Sequence, residues 1–342
     1  MIWMVVLFCV AAVTASPAQS TFFTTLASFD ETNGWCPHAE LVQGTDGNFY
    51  GTTEAGGAYG NNGGMVFKIT PAGTLTGLYS FCSQSNCTDG DSPFAGLVQA
   101  TDGDFYGTTW DGGAYGDGTV FKITPAGTLT TLHSFDGADG SNPSAELVQV
   151  SDGNFYGTTF GGGANDNCGS EGCGTVFQIT ANGTLSTLYS FCPQPHCIDG
   201  ASPQAGLVRT TDGNFYGTTA EGGANDSGTV FRITPSGTLT TLYSFCSQPR
   251  CTDGSEPTAG LVQATDGNFY GTTWIGGTYG DGTVFKITPA GTLTTLPASP
   301  TRTTTFLTPG WCKRATGTSM GQPSMADITT MARSSKSAQA AC

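Results

Sequence analysis

The chain has 342 residues, with 51 Gly, 17 Pro and only 11% charged residues. Scarce helix formers and abundant Gly exclude a coiled coil, a helical bundle and an alternating βα enzyme fold. Eleven basic against 26 acidic residues give a net charge of −15, which argues against nucleic acid or an anionic membrane surface as partner.

In chain order, residues 2–13 form an apolar run too short to span a bilayer comfortably. Small residues follow at Thr14, Ala15, Ser16 and Ala18, as a signal-peptidase site requires. Residues 1–18 therefore read as a signal peptide, although no Lys or Arg precedes the run. A buried N-terminal strand is the competing reading. No transmembrane segment is expected in the mature chain.

Residues 24–29, TTLASF, match the end of an outer strand that later recurs, here without its companions. From there the chain is one unit repeated. The string TDGNFYGTT places its Asp at Asp46, Asp102, Asp152, Asp212 and Asp266. GTVFKIT follows, with Phe67, Phe121, Phe177, Phe231 and Phe285, and GTLTTLYSF comes next. AGLVQ or a close variant opens each unit. Units of this length are a repeat architecture.

Each unit predicts four strands: LVQ (a), NFYGTT (b), TVFKIT (c) and LTTLYSF (d). Their Thr, Val, Ile, Phe and Tyr suit a pleated surface. Asp-Gly between a and b predicts a two-residue hairpin with both residues at positive φ, and Pro-Ala-Gly turns c into d. Strand d is apolar on both faces, with Leu129 and Phe135 expected on one and Leu132 on the other. A strand apolar on both faces lies between two sheets. The fold class is therefore all-β, a β-propeller of five in-frame four-stranded repeats with a stray N-terminal outer strand. The blades are placed at about 30–81, 82–135, 136–191, 192–245 and 246–296 within a repeat domain at 22–296. An open β-solenoid is the rival, but its usual coils are far shorter.

Cysteines recur as C-x4-C: Cys82/Cys87, Cys168/Cys173, Cys192/Cys197 and Cys246/Cys251. Pairs are gained and lost together among the units, so the partners are expected to bond to each other as disulfides. A zinc site is the sharper alternative, disfavoured because successive pairs belong to different blades. No metal and no cofactor are therefore expected, and Cys36 has no mate at this spacing.

In a four-strand meander the a–b and c–d turns share one face and the b–c and d–a loops the other. The second face carries the long, variable loops, the usual place for recognition. Its aromatic residues Trp110, Trp274, Phe160, Tyr59, Tyr115 and Tyr279 are the candidate binding residues, and capping of the blade-to-blade core is the competing role. Asp89, Asp91, Asp136, Asp139, Asp199 and Asp253 lie on this face too. They read as loop-capping carboxylates before calcium ligands, for want of a complete calcium loop. No catalytic residue is identified: His38, His133 and His196 occupy unrelated repeat positions, and no nucleophile elbow, zinc helix or phosphate loop occurs.

After Leu296 the pattern stops. Residues 1–296 hold 6 basic and 25 acidic residues, whereas 297–342 hold 5 and 1. Read two bases later, codons compatible with 310–323 permit Val-Gln-x-Ser-Asp-Gly-Asn-Phe-Tyr-Gly-Thr-Thr. Those for 325–341 permit a b–c loop followed by Gly-Thr-Val-Phe-Lys-Ile. The tail therefore reads as a sixth repeat scrambled by a frameshift, and is expected to be disordered. An ordinary low-complexity tail is the alternative.

The unit A-G-L-V-Q-x-T-D-G-N-F-Y-G-T-T through G-T-V-F-K-I-T-P-x-G-T-L-T-T-L-Y-S-F resembles the bacterial GloVer tandem repeat family, choice-of-anchor proteins, over residues 22–296. The resemblance implies a bacterial extracellular or cell-surface propeller without an established activity. The strand pattern is also similar to streptogramin-lyase propellers, but no repeated His or Glu set accompanies it. The function expected is a secreted or cell-surface, non-catalytic binding or scaffolding module for a glycan or a cell-envelope component. A polysaccharide lyase or glycosidase with carboxylates at the ring centre is the alternative, and a ligand-free spacer the third.

Overall fold

The structure, a computed structural model, describes residues 24–58, 63–169 and 171–296. The signal peptide and the out-of-frame tail expected from the sequence lie outside the described residues.

Five four-stranded antiparallel sheets follow one another, each with its strands side by side in chain order. Blade 1 comprises Val42–Gln43, Phe49–Thr53, Met65–Ile69 and Leu75–Ser80. Blade 2 comprises Val98–Gln99, Phe105–Thr109, Thr119–Ile123 and Leu129–Ser134. In blade 3 the strands are Val148–Gln149, Phe155–Thr159, Thr175–Ile179 and Leu185–Ser190. Blade 4 runs through Val208–Arg209, Phe215–Thr219, Thr229–Ile233 and Leu239–Ser244. Blade 5 holds Val262–Gln263, Phe269–Thr272, Val284–Ile287 and Leu293–Thr295.

Strand b explains why the sheets stack. In Phe-Tyr-Gly-Thr-Thr the two aromatic rings point to opposite faces, because side chains alternate along a strand. Phe155 stacks on Tyr106 of the preceding blade at 4.1 Å between ring centroids, and Tyr156 on Phe215 of the following one at 4.3 Å. The same stack joins Tyr50 to Phe105 and Tyr216 to Phe269. A second aromatic series runs from the end of strand d to strand c of the next blade: Phe81–Phe121, Phe135–Phe177, Phe191–Phe231 and Phe245–Phe285. Each core cluster therefore belongs to a seam between blades, not to one sheet. Hydroxyls tie the same seams: Thr52 Oγ1 donates to the Ala95 carbonyl at 2.8 Å and Thr158 Oγ1 to that of Ala205 at 3.1 Å. Sheets buried on both faces by their neighbours make this a β-propeller.

Residues 24–29 sit against blade 1 as an outer strand would. Phe29 meets Phe67 edge-on at 4.9 Å, the place of Phe81 on Phe121 one blade later. The Leu26 carbonyl closes over Gly73 as that of Leu78 closes over Gly127.

Two local expectations change. The a–b connection is not a two-residue hairpin. Gly47 N donates to the Gly44 carbonyl at 2.9 Å, and Gly44 N to that of Asn48 at 2.8 Å. Only Gly47, not Asp46, takes positive φ, so this is a type I turn closed by a glycine bulge. Asp46 serves the turn through its side chain, accepting from Asn48 N at 3.0 Å and from Tyr50 Oη at 2.8 Å. Second, strand d carries a β-bulge: Val120 pairs with His133 but Phe121 with Thr131. The extra residue flips the parity beyond it. Leu132 and Phe135 share the seam to blade 3, and Leu129 faces the seam to blade 1.

All four C-x4-C pairs form disulfides: Cys82–Cys87, Cys168–Cys173, Cys192–Cys197 and Cys246–Cys251. Cys36, which spacing leaves without a mate, is disulfide-bonded as well. No helix among the described residues is long and apolar enough to cross a membrane.

The turn carboxylates set the acid response. The Asn268 side chain, its backbone amide and Lys286 hold Asp266 down to about 2. Asp46 and Asp102 are held below the usual range as well, donors from Asn48 and Tyr50, and from Lys122 and Tyr106, outweighing burial. Carboxyls depressed in the folded chain add stability above their unfolded pKa of about 4, and lose it as pH falls through the folded value. Acid unfolding followed by circular dichroism is expected to have its midpoint between about pH 4 and about pH 2. A midpoint above about pH 5 would contradict this assignment.

Candidate functional site

The b–c and d–a loops meet through one backbone bond repeated in every blade. The amide of the first b–c loop residue donates to a carbonyl in the d–a loop: Glu54 to Cys36, Trp110 to Ser92, Phe160 to Asn142, Ala220 to Ser202 and Trp274 to Glu256. This bond brings two positions of each repeat together. They hold His38 with Glu54, Phe94 with Trp110, Ser144 with Phe160, Gln204 with Ala220, and Thr258 with Trp274. In a chain of near-identical repeats, these juxtaposed positions change chemistry from blade to blade.

Over blades 1 to 3 they form a continuous run of rings. His38 stacks on Phe94 at 5.7 Å, Phe94 meets Trp110 edge-on at 5.5 Å, and Trp110 meets Phe160 at 5.6 Å. Phe94, Trp110 and Phe160 are half-buried, and His38 is exposed. His38 Nε2 lies 2.6 Å from Glu54 Oε2 at the end of the run. Phe94 and His38 were missed from sequence, because they stand in the d–a loop before strand a. The signal was the variable third residue in Cys-Pro-His-Ala, Ser-Pro-Phe-Ala and Asn-Pro-Ser-Ala.

The remaining candidates do not join this run. Trp274 is half-buried at the equivalent place in blade 5, beside Thr258. Tyr115 and Tyr279 project into solvent, 68% and 62% exposed. Tyr59 lies outside the described residues.

The carboxylates of this face divide into two kinds. Asp89, Asp199 and Asp253 cap their own loops. Asp89 accepts from Tyr79 Oη at 2.8 Å and from Ser83 N at 3.0 Å, and Asp199 from Tyr189 Oη at 2.8 Å. His133 takes the tyrosine's place in blade 2 and pairs with Asp139 at 2.7 Å. Asp117 is different. It lines an acidic cavity of about 210 Å³ between blades 2 and 3, with Asp166 and Glu171. Burial first, then Asp136, Asp139 and Glu171, push its pKa up. A carboxyl raised in the folded chain destabilises it once ionised. Asp117→Asn is therefore expected to raise the melting temperature at pH 7, the gain shrinking towards about pH 4. A lower melting temperature at pH 7 would show that Asp117 makes a stabilising contact instead.

The sequence model of the Gloeobacter/Verrucomicrobia repeat matches this chain over residues 11–169, 83–252 and 148–321, in overlapping stretches. The chain is a member of the Gloeobacter/Verrucomicrobia repeat family. No curated protein matches it. Among solved structures, this repeat protein is similar to a gluconolactonase from Xanthomonas campestris, at 14% identity over 79% of this chain and 78% of that one, TM-score 0.47. It is similar also to a protein of unknown function from Dyadobacter fermentans, at 11% identity over 76% and 82%, TM-score 0.47. A third is a xylan β-1,4-xylosidase from Bacillus halodurans, at 18% identity over 79% and 59%, TM-score 0.38.

Proposed function

We propose that this repeat propeller is a secreted or cell-surface, non-catalytic binding or scaffolding module, and that its ligand is carbohydrate bound on the b–c and d–a loop face. One observation carries the reading: the positions that differ between otherwise uniform blades converge, and in three blades they present an unbroken run of half-open rings, His38–Phe94–Trp110–Phe160. Sugar rings carry apolar C–H faces that pack on aromatic side chains, while their hydroxyls take hydrogen bonds from neighbouring polar groups. The half-buried Gln204 amide in blade 4 offers such a group, and Ser144 Oγ in blade 3, which donates to the Gln204 carbonyl at 3.1 Å, can accept from a sugar hydroxyl. The disulfide-stapled loops favour an oxidising, extracellular setting.

A carbohydrate microarray probed with wild type and Trp110→Ala tests the reading, together with an assay for new reducing ends. The variant is expected to lose about tenfold or more in affinity, as removal of a central aromatic anchor does. No reducing ends should appear. Binding unchanged in Trp110→Ala overturns the site, and release of sugar products overturns the non-catalytic reading.

A further inference from the structure

The b–c loop of blade 3 spans Thr159 to Thr175, against Thr109 to Thr119 in blade 2, and the insertion brings Cys168 and Cys173. The d–a loop leaving the same blade brings Cys192 and Cys197. From sequence these are two separate staples. In the structure they meet. Cys168 Sγ lies 3.6 Å from Cys197 Sγ, across the two pairs, and all four sulfurs fall within 4.8 Å of one another. The other pairs build nothing similar. Cys82 and Cys87 adjoin one carboxylate, Asp91, and no cluster of three ligating groups among the described residues includes Cys246 or Cys251.

The backbone holds these sulfurs together independently of the disulfides. Cys173 N donates to the Gly162 carbonyl at 3.1 Å, and Ser202 N to that of Cys173 at 2.9 Å. Asn167 Nδ2 donates to the Cys192 carbonyl at 2.8 Å, Cys192 N to Asp199 Oδ2 at 3.1 Å, and Gly223 N to the Cys197 carbonyl at 2.8 Å. Cys173 and Cys192 are fully buried, whereas Cys168 and Cys197 are partly open and leave a way in. Four thiolates around one zinc ion, with metal–sulfur bonds of about 2.3 Å, stand roughly 3.8 Å apart. The distances across the two pairs, at most 4.8 Å, contract by about 1 Å or less. Within each pair the sulfurs, about 2 Å apart when bonded, separate by roughly 2 Å once the bond is reduced, a movement that side-chain rotation supplies.

We propose that Cys168, Cys173, Cys192 and Cys197 form a single sulfur centre that binds one thiophilic divalent cation, such as zinc, in the reduced chain, and that oxidation to two disulfides closes the site. The inference stands apart from carbohydrate binding. The redox step balances as follows for a trialkylphosphine reductant. Each S–S bond takes up two electrons and two protons to give two thiols, while the phosphine becomes its oxide with the oxygen of one water molecule. The cation then displaces four thiol protons to solvent as four metal–sulfur bonds form.

The test uses the full chain, reduced with phosphine without oxygen, freed of reductant, and titrated with cobalt(II) followed by zinc. One cobalt per chain is expected, with intense thiolate-to-metal absorption and the ligand-field bands of a tetrahedral ion, displaced stoichiometrically by zinc. The oxidised chain should give no such absorption. The signal should vanish in Cys168→Ser/Cys173→Ser and persist in Cys82→Ser/Cys87→Ser. X-ray absorption of the zinc-loaded wild type needs no variant, and should show four sulfur neighbours at about 2.3 Å. Absence of thiolate-to-metal absorption in the reduced chain, its survival without Cys168 and Cys173, fewer than four sulfur neighbours, or equal binding by the oxidised chain would each overturn the proposal.

Discussion

Phe177→Ala is expected to destabilise the protein by ~3–5 kcal/mol, the usual cost of emptying a buried phenylalanine site. The ring is fully buried and meets Phe135 of the preceding blade edge-on at 5.3 Å. Its tip lies so close over Gly157 that a Cβ there would stand 2.6 Å from it, so strand b cannot move in to fill the hole without a backbone shift. Both blades lose contacts at once, because the cavity opens in the seam. Phe177→Leu should cost less, and Tyr115→Ala, at an exposed loop position, should stay within about 0.5 kcal/mol of wild type. Urea unfolding of the three variants checks the ranking. A Phe177→Ala midpoint equal to that of Tyr115→Ala would remove the seam as the source of stability.

Asp253→Ala is expected to cost about 2–3 kcal/mol, since it removes a buried carboxylate that accepts four charge-assisted hydrogen bonds at once. The Asp253 carboxylate is 2% exposed and accepts from Tyr243 Oη at 2.7 Å, Ser247 N at 2.8 Å, Ser247 Oγ at 2.9 Å and Gln248 N at 3.2 Å. Burial raises its pKa, but these donors outweigh burial and hold the carboxyl below its ordinary range. On the other side of the bond, burial and the carboxylate push the Tyr243 hydroxyl up to about 12. Asp253 therefore stabilises the fold fully above about pH 4, and the contribution fades as pH falls through the folded value. The gap between wild type and Asp253→Ala in thermal unfolding should be wide at pH 7 and narrow in acid. A gap independent of pH would show that the loss is one of packing.

Strands b, c and d were legible because alternation and β-branched residues act locally. Positions 155 to 159 read as a strand in any context, and the apolar residues on both faces of strand d announce a sheet on each side. The bulge in strand d was not legible, since nothing in Thr130-Thr131-Leu132-His133 distinguishes a residue without a ladder partner from its neighbours. The a–b turn was misread because Asp-Gly suits two hairpins, and the choice rests on the Gly44–Asn48 hydrogen bond, a relation across the turn. The disulfide pairs were found from joint gain and loss of cysteines. The meeting of Cys168 with Cys197 was not, because an insertion's length does not say where it folds. Phe94 and His38 were overlooked for a related reason: a position that varies between repeats gains meaning only when folding sets it beside another that varies.

The most direct measurement on the binding reading is saturation-transfer NMR with a soluble oligosaccharide drawn from the microarray. The aromatic run predicts transfer from protein rings to the C–H protons of the sugar, its loss in Trp110→Ala, and no change in the anomeric signals over days. Transfer that persists undiminished in the variant, or the growth of new anomeric signals from a cleaved chain, would contradict it.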